Sequence, residues 1–242
     1  MAVKSEYSLQ YETVDNICGG IPVIIVAGGN SNRMMGIDKI TAELGGMPVI
    51  VRTMLAFERC KSVSEIIVVI KDEKTTLLQN LAERYMITKL AGIAPAGNSR
   101  AESVCNGLKL IDSSIDSVLI HDGARPLVSD ELIERVACAD KSFACVICAN
   151  KCVDTIKKVK DNIVEETYVR DNLIAVQTPQ RVELKKYISY INGLDDLAFA
   201  TDDASIMEKM GEKVLVVDGD FRNIKITSPL DLKIAQVYLE EF

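Results

Sequence analysis

Short continuous apolar runs alternate along this chain with segments whose apolar residues recur every three or four positions. The runs "VIIVA" (23–27), "EIIVVIK" (65–71), "DSVLIHD" (116–122) and "ACVICA" (144–149) read as buried strands. Between and after them, "MPVIVRTMLAFERC" (47–60), "SRAESVCNGLKLI" (99–111), "SDELIERVACA" (129–139) and "SPLDLKIAQVYLEEF" (228–242) carry the helical period. In the second of these, Val104, Leu108 and Ile111 share one face, and Ser99 with Glu102 has the spacing of a capping box. The last offers Ser228 as N-cap and Pro229 at the first helical position. Strand and helix in alternation predict a mostly parallel sheet covered by helices on both faces, a three-layer α/β architecture. From about 151 to 178 the rhythm breaks. That stretch is charged and extended, has no helical stripe, and reads as an arm or hairpin leaving the core. Residues 1–20 lack the basic and apolar regions of a signal peptide and read as a polar leader, with 21–242 as one domain.

Composition narrows the function classes. The longest apolar runs of this 242-residue chain are too short to span a bilayer. A net charge of −7 with no run of Lys and Arg argues against nucleic acid or an anionic membrane as partner. An anionic ligand must then be captured by local cations. Seven scattered cysteines and no export signal predict reduced thiols in the cytoplasm. Cys145 and Cys148 form a C-x-x-C inside an apolar strand, where an offset of three places them on opposite faces. With His121 the only histidine, buried thiols account for the pair better than a zinc site.

In α/β sheets ligands gather at the carboxyl ends of strands, and this chain concentrates polar chemistry there. "VAGGNSNRMMGIDK" (26–39) ends the first strand. Gly28 and Gly29 permit positive φ and close approach of backbone N–H groups to an anion, and Arg33 and Lys39 supply charge. Neither G-x-G-x-x-G nor G-x-x-x-x-G-K-[ST] fits, and a plain tight turn explains the glycines without the cations. "HDGARP" (121–126) puts Asp122 beside Arg125, a set suited to Mg²⁺ and a phosphate oxygen, or to a salt-bridged turn. His121 reads as a structural hydrogen-bonder. "AGNSRAESV" (96–104) sets Gly97, Asn98 and Arg100 at a helix start, an anion or base-edge site or an ordinary capped helix. Lys225 lies in "RNIKITSP", read as a short strand before a capped helix, and "TDDAS" (201–205) offers Thr201 as N-cap with Asp202 and Asp203 in the helix dipole. No Ser–His–Asp or Cys–His arrangement is evident. The chemistry therefore reads as charge positioning, as in nucleotidyl transfer.

Taken together, "VAGGNSNRM", "GNSRAESVCNGL", "LIHDGARP", "VQTPQ", "TDDASIMEKMG" and "NIKITSPLDL" resemble, in order and spacing over about residues 21–240, the 2-C-methyl-D-erythritol 4-phosphate cytidylyltransferase family. The ribitol-5-phosphate cytidylyltransferases share this layout. The resemblance implies a Rossmann-like nucleotidyltransferase core and a homodimer whose arm reaches into the neighbouring active site. It implies a cytoplasmic reaction of CTP with a polyol phosphate, favouring methylerythritol 4-phosphate in isoprenoid precursor synthesis, with Mg²⁺ as cofactor. A non-catalytic nucleotide-binding protein is the rival outside enzymes. By the same resemblance Arg33 and Lys39 hold the triphosphate, while Ala27, Gly97, Asn98 and Ser103 surround the cytosine and its ribose. Asp122 binds Mg²⁺, and Arg125, Thr201 and Lys225 face phosphates. Thr155 and Arg170 grip the acceptor phosphate from the partner's arm, with Thr178 nearby. The chain departs from the family's Pro-Lys-Gln at Asp38-Lys39-Ile40, and Arg222 stands where relatives can carry an acid. The loop around Lys39 is also similar to that of the guanylyltransferase of molybdenum-cofactor dinucleotide synthesis.

Overall fold

The computed structural model describes residues 19–29, 34, 38–194, 197 and 199–240. Most of the polar leader and Arg33 lie outside the described residues. In chain order the elements are β1 (Ile21–Val26), the small hairpin β2 (Glu43–Leu44) and β3 (Met47–Pro48), α1 (Val49–Arg59), β4 (Val63–Ile70), α2 (Thr75–Arg84), β5 (Leu90–Pro95), α3 (Arg100–Leu108) and β6 (Ser117–Asp122). There follow α4 (Asp130–Ala137), β7 (Cys145–Lys151), the hairpin β8 (Lys157–Lys160) and β9 (Ile163–Thr167), β10 (Ile174–Glu183), α5 (Leu184–Asn192), α6 (Asp203–Lys209), β11 (Val214–Asp218) and α7 (Pro229–Glu240).

Among the described residues seven strands form one sheet in the order β11-β7-β10-β6-β1-β4-β5. All neighbours are parallel except β10, which runs antiparallel to both β6 and β7. The predicted three layers are present. Val23 and Ile25 of β1 pack with Phe57 of α1, Leu78 of α2 and Leu132 and Val136 of α4. Ile24, one residue out of phase, packs on the other face with Val104 of α3, Tyr187 of α5 and Met207 of α6. Period-two alternation along a buried strand thus feeds two cores at once. Each fully buried Val, Ile or Phe in these layers contributes roughly 1.5–3 kcal/mol from area removed from water. Cys148 joins the first core and Cys145 the second, on opposite faces as the offset requires. Both are free thiols; burial raises Cys145 well above the ordinary thiol range and pushes Cys148 up to about 12. Cys60, Cys105 and Cys152 are also free, whereas Cys138 is disulfide-bonded, so the expectation of reduced thiols throughout does not hold at that position.

Helix starts follow local chemistry. Ser99 Oγ accepts from Glu102 N–H at 3.0 Å and Ser129 Oγ from Leu132 N–H at 3.2 Å. The Glu102 carboxylate, however, reaches Asn98 N–H at 2.7 Å. At α7 the capping by Ser228 is joined by Asp231, whose Oδ2 accepts from the N–H groups of Thr227 and Ser228. At α6 the cap is Asp202, extended in backbone and accepting from Ser205 N–H at 3.0 Å; Thr201 precedes it and does not cap. Lys225 lies in coil and not in a strand, next to the Ile226 N–H that bonds to Ala124 O at 2.8 Å.

Several elements escape the apolar pattern for physical reasons. Strand β5 is a sheet edge, interrupted by Gly92 and ended by Pro95. Strand β10 buries Gln177, Thr178, Gln180 and Arg181, so its interior reads as polar. Their hydrogen bonds make this burial tolerable: Arg181, for example, donates to the carbonyls of Ala137, Ala139 and Asp140. The broken segment is a protruding hairpin. Asp161 and Asn162 at its tip have φ of 49° and 63°, the two positive values of a tight hairpin turn. From Ile174 the chain is already in β10, so Thr178 belongs to the central sheet.

Candidate active site

The site is built where β1 and β6 end side by side, with Val26 opposite Asp122 in the parallel register. Backbone bonds from Ala27 N–H to Val69 O (2.7 Å) and from Gly123 N–H to Val26 O (2.9 Å) stitch the loops after these strands to their neighbours. Neither Gly28 nor Gly29 adopts positive φ, so the expected backbone reason for glycine is replaced by a steric one. A Cβ on Gly28 would run into the Cβ of Ala96, in the loop after β5. The two loops approach so closely that no side chain fits at that position.

One cavity joins Ala27, Gly28, Gly29, Lys39, Gly97, Arg100, Ser103, Asp122 and Lys225. Lys39 Nζ reaches over the glycine turn, 3.6 Å from where a Gly29 Cβ would stand. Asp122 forms the floor. Lys225 Nζ lies 2.8 Å from its Oδ2, Arg125 Nε 3.5 Å from Oδ2, and Arg100 Nε 3.6 Å from Oδ1. Burial raises the pKa of this carboxyl, but Lys225, Arg100 and Arg125 outweigh it and hold the group well below the usual carboxylate range. Arg100 is also bonded to Asp203 at 2.6 Å; burial opposes its charge, while Asp203 and Asp122 keep it protonated. Among the described residues, three cations, Lys39, Arg100 and Lys225, thus line the cavity with one carboxylate, Asp122. A local positive excess sits in a chain of net charge −7, which is what an anionic ligand requires.

The other predicted residues occupy different positions. Arg125 is buried beneath Asp122, where its Nη1 donates to Asn223 O at 2.8 Å. Thr178 is also buried there: its Oγ1 accepts from Asp122 N–H at 3.0 Å and lies 3.1 Å from His121 Nδ1. His121 Nε2 meets Arg125 O at 3.2 Å, and burial pushes its pKa down to about 3. It is a neutral structural group. Ser103 Oγ accepts from Gly97 N–H (3.0 Å) and donates to Ser99 O (2.8 Å), so its hydroxyl shapes the turn. Asn98 and Thr201 are exposed. Thr155 and Arg170 lie on the arm, where Arg170 Nη1 donates to Val153 O at 3.0 Å. The sequence reading missed Asp203 as the partner of Arg100. The two are 103 positions apart, and the only signal was a second acid in "TDDAS". It also missed the Asn223 amide, which donates to Thr178 O at 2.8 Å.

Among the described residues no group of three or more His, Cys, Asp or Glu is positioned to hold a metal ion. Asp122 stands alone at the cavity floor, ionised, among oxygen-binding cations. Mg²⁺ commonly takes one or two carboxylates together with substrate phosphates; Asp122 is the one carboxylate lining the cavity among the described residues, and its oxygens already face Lys225, Arg125 and Arg100.

A family model described as 2-C-methyl-D-erythritol 4-phosphate cytidylyltransferase matches residues 21–241. The enzyme of that name from Bacillus mycoides (strain KBAB4) is 39% identical over 219 residues, covering 90% of this chain and 96% of the relative. The one from Geobacillus kaustophilus is 38% identical over 218 residues, covering 89% and 95%. The crystal structure of 4-diphosphocytidyl-2C-methyl-D-erythritol synthase from Anaerococcus prevotii superposes with a TM-score of 0.81 at 33% identity, over 92% of this chain and 96% of that one. The Francisella tularensis cytidylyltransferase gives 0.75 at 31%, over 90% and 99%. With a matching α/β sheet, a cation-lined cleft at its carboxyl edge and relatives spanning nearly their whole length, this chain belongs to the 2-C-methyl-D-erythritol 4-phosphate cytidylyltransferase family.

Proposed function

We propose that this chain joins CTP and 2-C-methyl-D-erythritol 4-phosphate to give CDP-methylerythritol and pyrophosphate, a step of isoprenoid precursor synthesis. Besides family membership, the observation that carries this is the cation cluster over Asp122, formed where Lys39 and Lys225 line one cavity. The acceptor phosphate is largely a dianion at neutral pH, its second pKa being about 6. One of its oxygens bonds to the α-phosphorus of CTP, the α–β bridging bond breaks, and pyrophosphate leaves with those electrons. No general base is needed. The barrier is repulsion between anions, and Lys39, Lys225 and Arg33 lower it by neutralising charge as it develops.

Gly28, Gly29 and the Gly97 turn admit the nucleotide, with Ala27, Asn98 and Ser103 placed around its base and ribose. Arg100 and Arg125 hold Asp122 in position, and Thr178 fixes it from below through the backbone. Mg²⁺ bound at Asp122 would supply charge neutralisation to the phosphate chain. The working unit is a homodimer in the cytoplasm, in which the arm presents Thr155 and Arg170 to the neighbouring acceptor site and Thr201 lines the rim. The arm's composition supports this: Val153, Ile163 and Val169 are 68%, 70% and 67% exposed in a single chain, more apolar surface than a free hairpin needs. Pyrophosphate release with CTP and a panel of methylerythritol 4-phosphate, ribitol 5-phosphate and other polyol phosphates tests the reading. Preference for ribitol 5-phosphate would move the chain to the related polyol branch; no release with any acceptor would make it a nucleotide-binding protein.

A further inference from the structure

Lys225 lies outside strand and helix, between the end of β11 at Asp218 and the start of α7 at Pro229. No regular element aims its side chain, yet its Nζ meets Asp122 Oδ2 at 2.8 Å. Two buried amides hold the stretch that carries it. Gln177, on β10, grips the main chain of Asp220 at both polar atoms. Its Nε2 donates to Asp220 O at 2.8 Å, and its Oε1 accepts from Asp220 N–H at 3.1 Å. The chain runs so close here that a Cβ on Gly219 would collide with Gln177 Oε1 and Asn150 Oδ1. Gly219 N–H is itself held by Ala149 O at 2.8 Å.

The second amide belongs to Asn223, two residues before Lys225 and fully buried. Its Nδ2 donates at 2.8 Å to the carbonyl of Thr178, the residue whose hydroxyl accepts from Asp122 N–H. Its own carbonyl accepts from Arg125 Nη1 at 2.8 Å and from Gln177 Nε2 at 3.3 Å. Arg125 in turn faces Asp122. A closed circuit results: Lys225 to Asp122, Asp122 to Arg125, Arg125 to Asn223, and two steps of chain back to Lys225. Ile226 N–H fastens the far side to Ala124 O. Neither Gln177 nor Asn223 is among the residues that line the cavity.

We infer that Gln177 and Asn223 form a buried clasp that positions Lys225 against Asp122. Hydrogen bonds are directional, so two amides on one short stretch fix both its distance from β10 and its orientation. The inference rests on the proposed role of Lys225 and adds to it. The clasp acts only through that lysine, by setting where its charge stands when the phosphates arrive. A misplacement of about 1 Å can cost about 10²-fold in rate, so a loosened clasp is read in catalysis.

The test compares wild type with Gln177→Met, Asn223→Asp, Lys225→Ala and the two double variants that combine each clasp change with Lys225→Ala. It measures kcat and KM for CTP by pyrophosphate release, alongside Tm. Gln177→Met removes both bonds to Asp220 at similar side-chain length. It should lower kcat by at least about tenfold, with a smaller change in KM. Asn223→Asp sets an acceptor against Thr178 O and should do the same. Lys225→Ala should lose about 10²–10³ in kcat, and adding either clasp change should lower it no further, because the residue they act through is gone. The two clasp variants report independently, so if one fails to fold the other decides. A clasp that only packs the core predicts a lower Tm with wild-type kcat, or a clasp loss that multiplies in full with that of Lys225→Ala; either result overturns the inference while Lys225→Ala remains impaired. Near-normal kcat in Lys225→Ala overturns the reading of Lys225 and the inference with it.

Discussion

Lys225 Nζ sits 2.8 Å from Asp122 Oδ2, although the two residues are separated by most of the second half of the chain. Two further cations share that carboxylate, and Asp122 is almost fully buried. Asp122→Asn leaves Arg100, Arg125 and Lys225 without their common counter-charge. Removing one partner from a buried ion network typically costs about 3–5 kcal/mol, and chemical denaturation should show a loss of that order at pH 7. The sign with pH follows from the lowered pKa. The stabilisation is present above the unfolded carboxylate value of about 3.9 and is lost as pH falls toward the lower folded value. The stability gap between wild type and variant should therefore narrow below about pH 4; a gap that widens in acid contradicts the network.

His121 predicts a pH dependence of stability rather than of rate. Burial holds its pKa at about 3, so it is neutral in the folded enzyme throughout the working range. A histidine whose folded pKa is depressed contributes stability above its unfolded value of about 6.5 and loses it as pH falls toward 3. His121→Gln should thus flatten the stability profile between those values. The activity profile of both proteins should keep a limb near pH 6, from the acceptor's second phosphate ionisation at about 6. A limb that vanishes only in His121→Gln would make this residue a proton carrier.

Gly28→Ala tests the steric origin of the glycine turn. The new methyl meets Ala96 Cβ, and overpacking of this kind costs about 1–3 kcal/mol. A loss in that range, with a raised KM for CTP as the loops part, is expected. Ala96→Gly in the same background should restore part of both; an unaffected single variant would show that the loops have room.

The turn at Gly97, shaped by Ser103, predicts a base preference. CTP turnover should exceed that of the other nucleoside triphosphates by at least about tenfold, on the order of 1.4 kcal/mol in the transition state. Equal or better use of GTP would favour the guanylyl branch that the Lys39 loop resembles.

A shared site predicts complementation. Lys39→Ala and Arg170→Ala damage different halves of one site when the arm crosses between subunits. In a statistical mixture half the dimers are mixed and each keeps one intact site of two, so activity should approach roughly a quarter of wild type. No recovery after subunit exchange verified by mass would place the arm on its own subunit.

Periodicity alone was enough for the α/β class, for four of the sheet strands, for helices α1, α3, α4 and α7 and for the break at the arm, while α2 and α5 were not read from it. These are local signals: "VIIVA" must bury both faces, and Val104, Leu108 and Ile111 must bury one. The opposite faces of Cys145 and Cys148 follow from the same geometry. The antiparallel insertion of β10 was invisible, because the hydrogen bonds that make Gln177, Gln180 and Arg181 tolerable in a core come from loops far away in sequence. The same holds at the site. Sequence marked Lys39, Asp122 and Lys225 as charged residues beside strand ends. Only the tertiary structure decided that Arg100 is held by Asp203, that Arg125 lies beneath the floor, and that Asp38 turns to Lys74. A charge is written in the chain, but its partner is chosen by the fold, since the energy of an ion depends on what lies within a few ångströms of it in space.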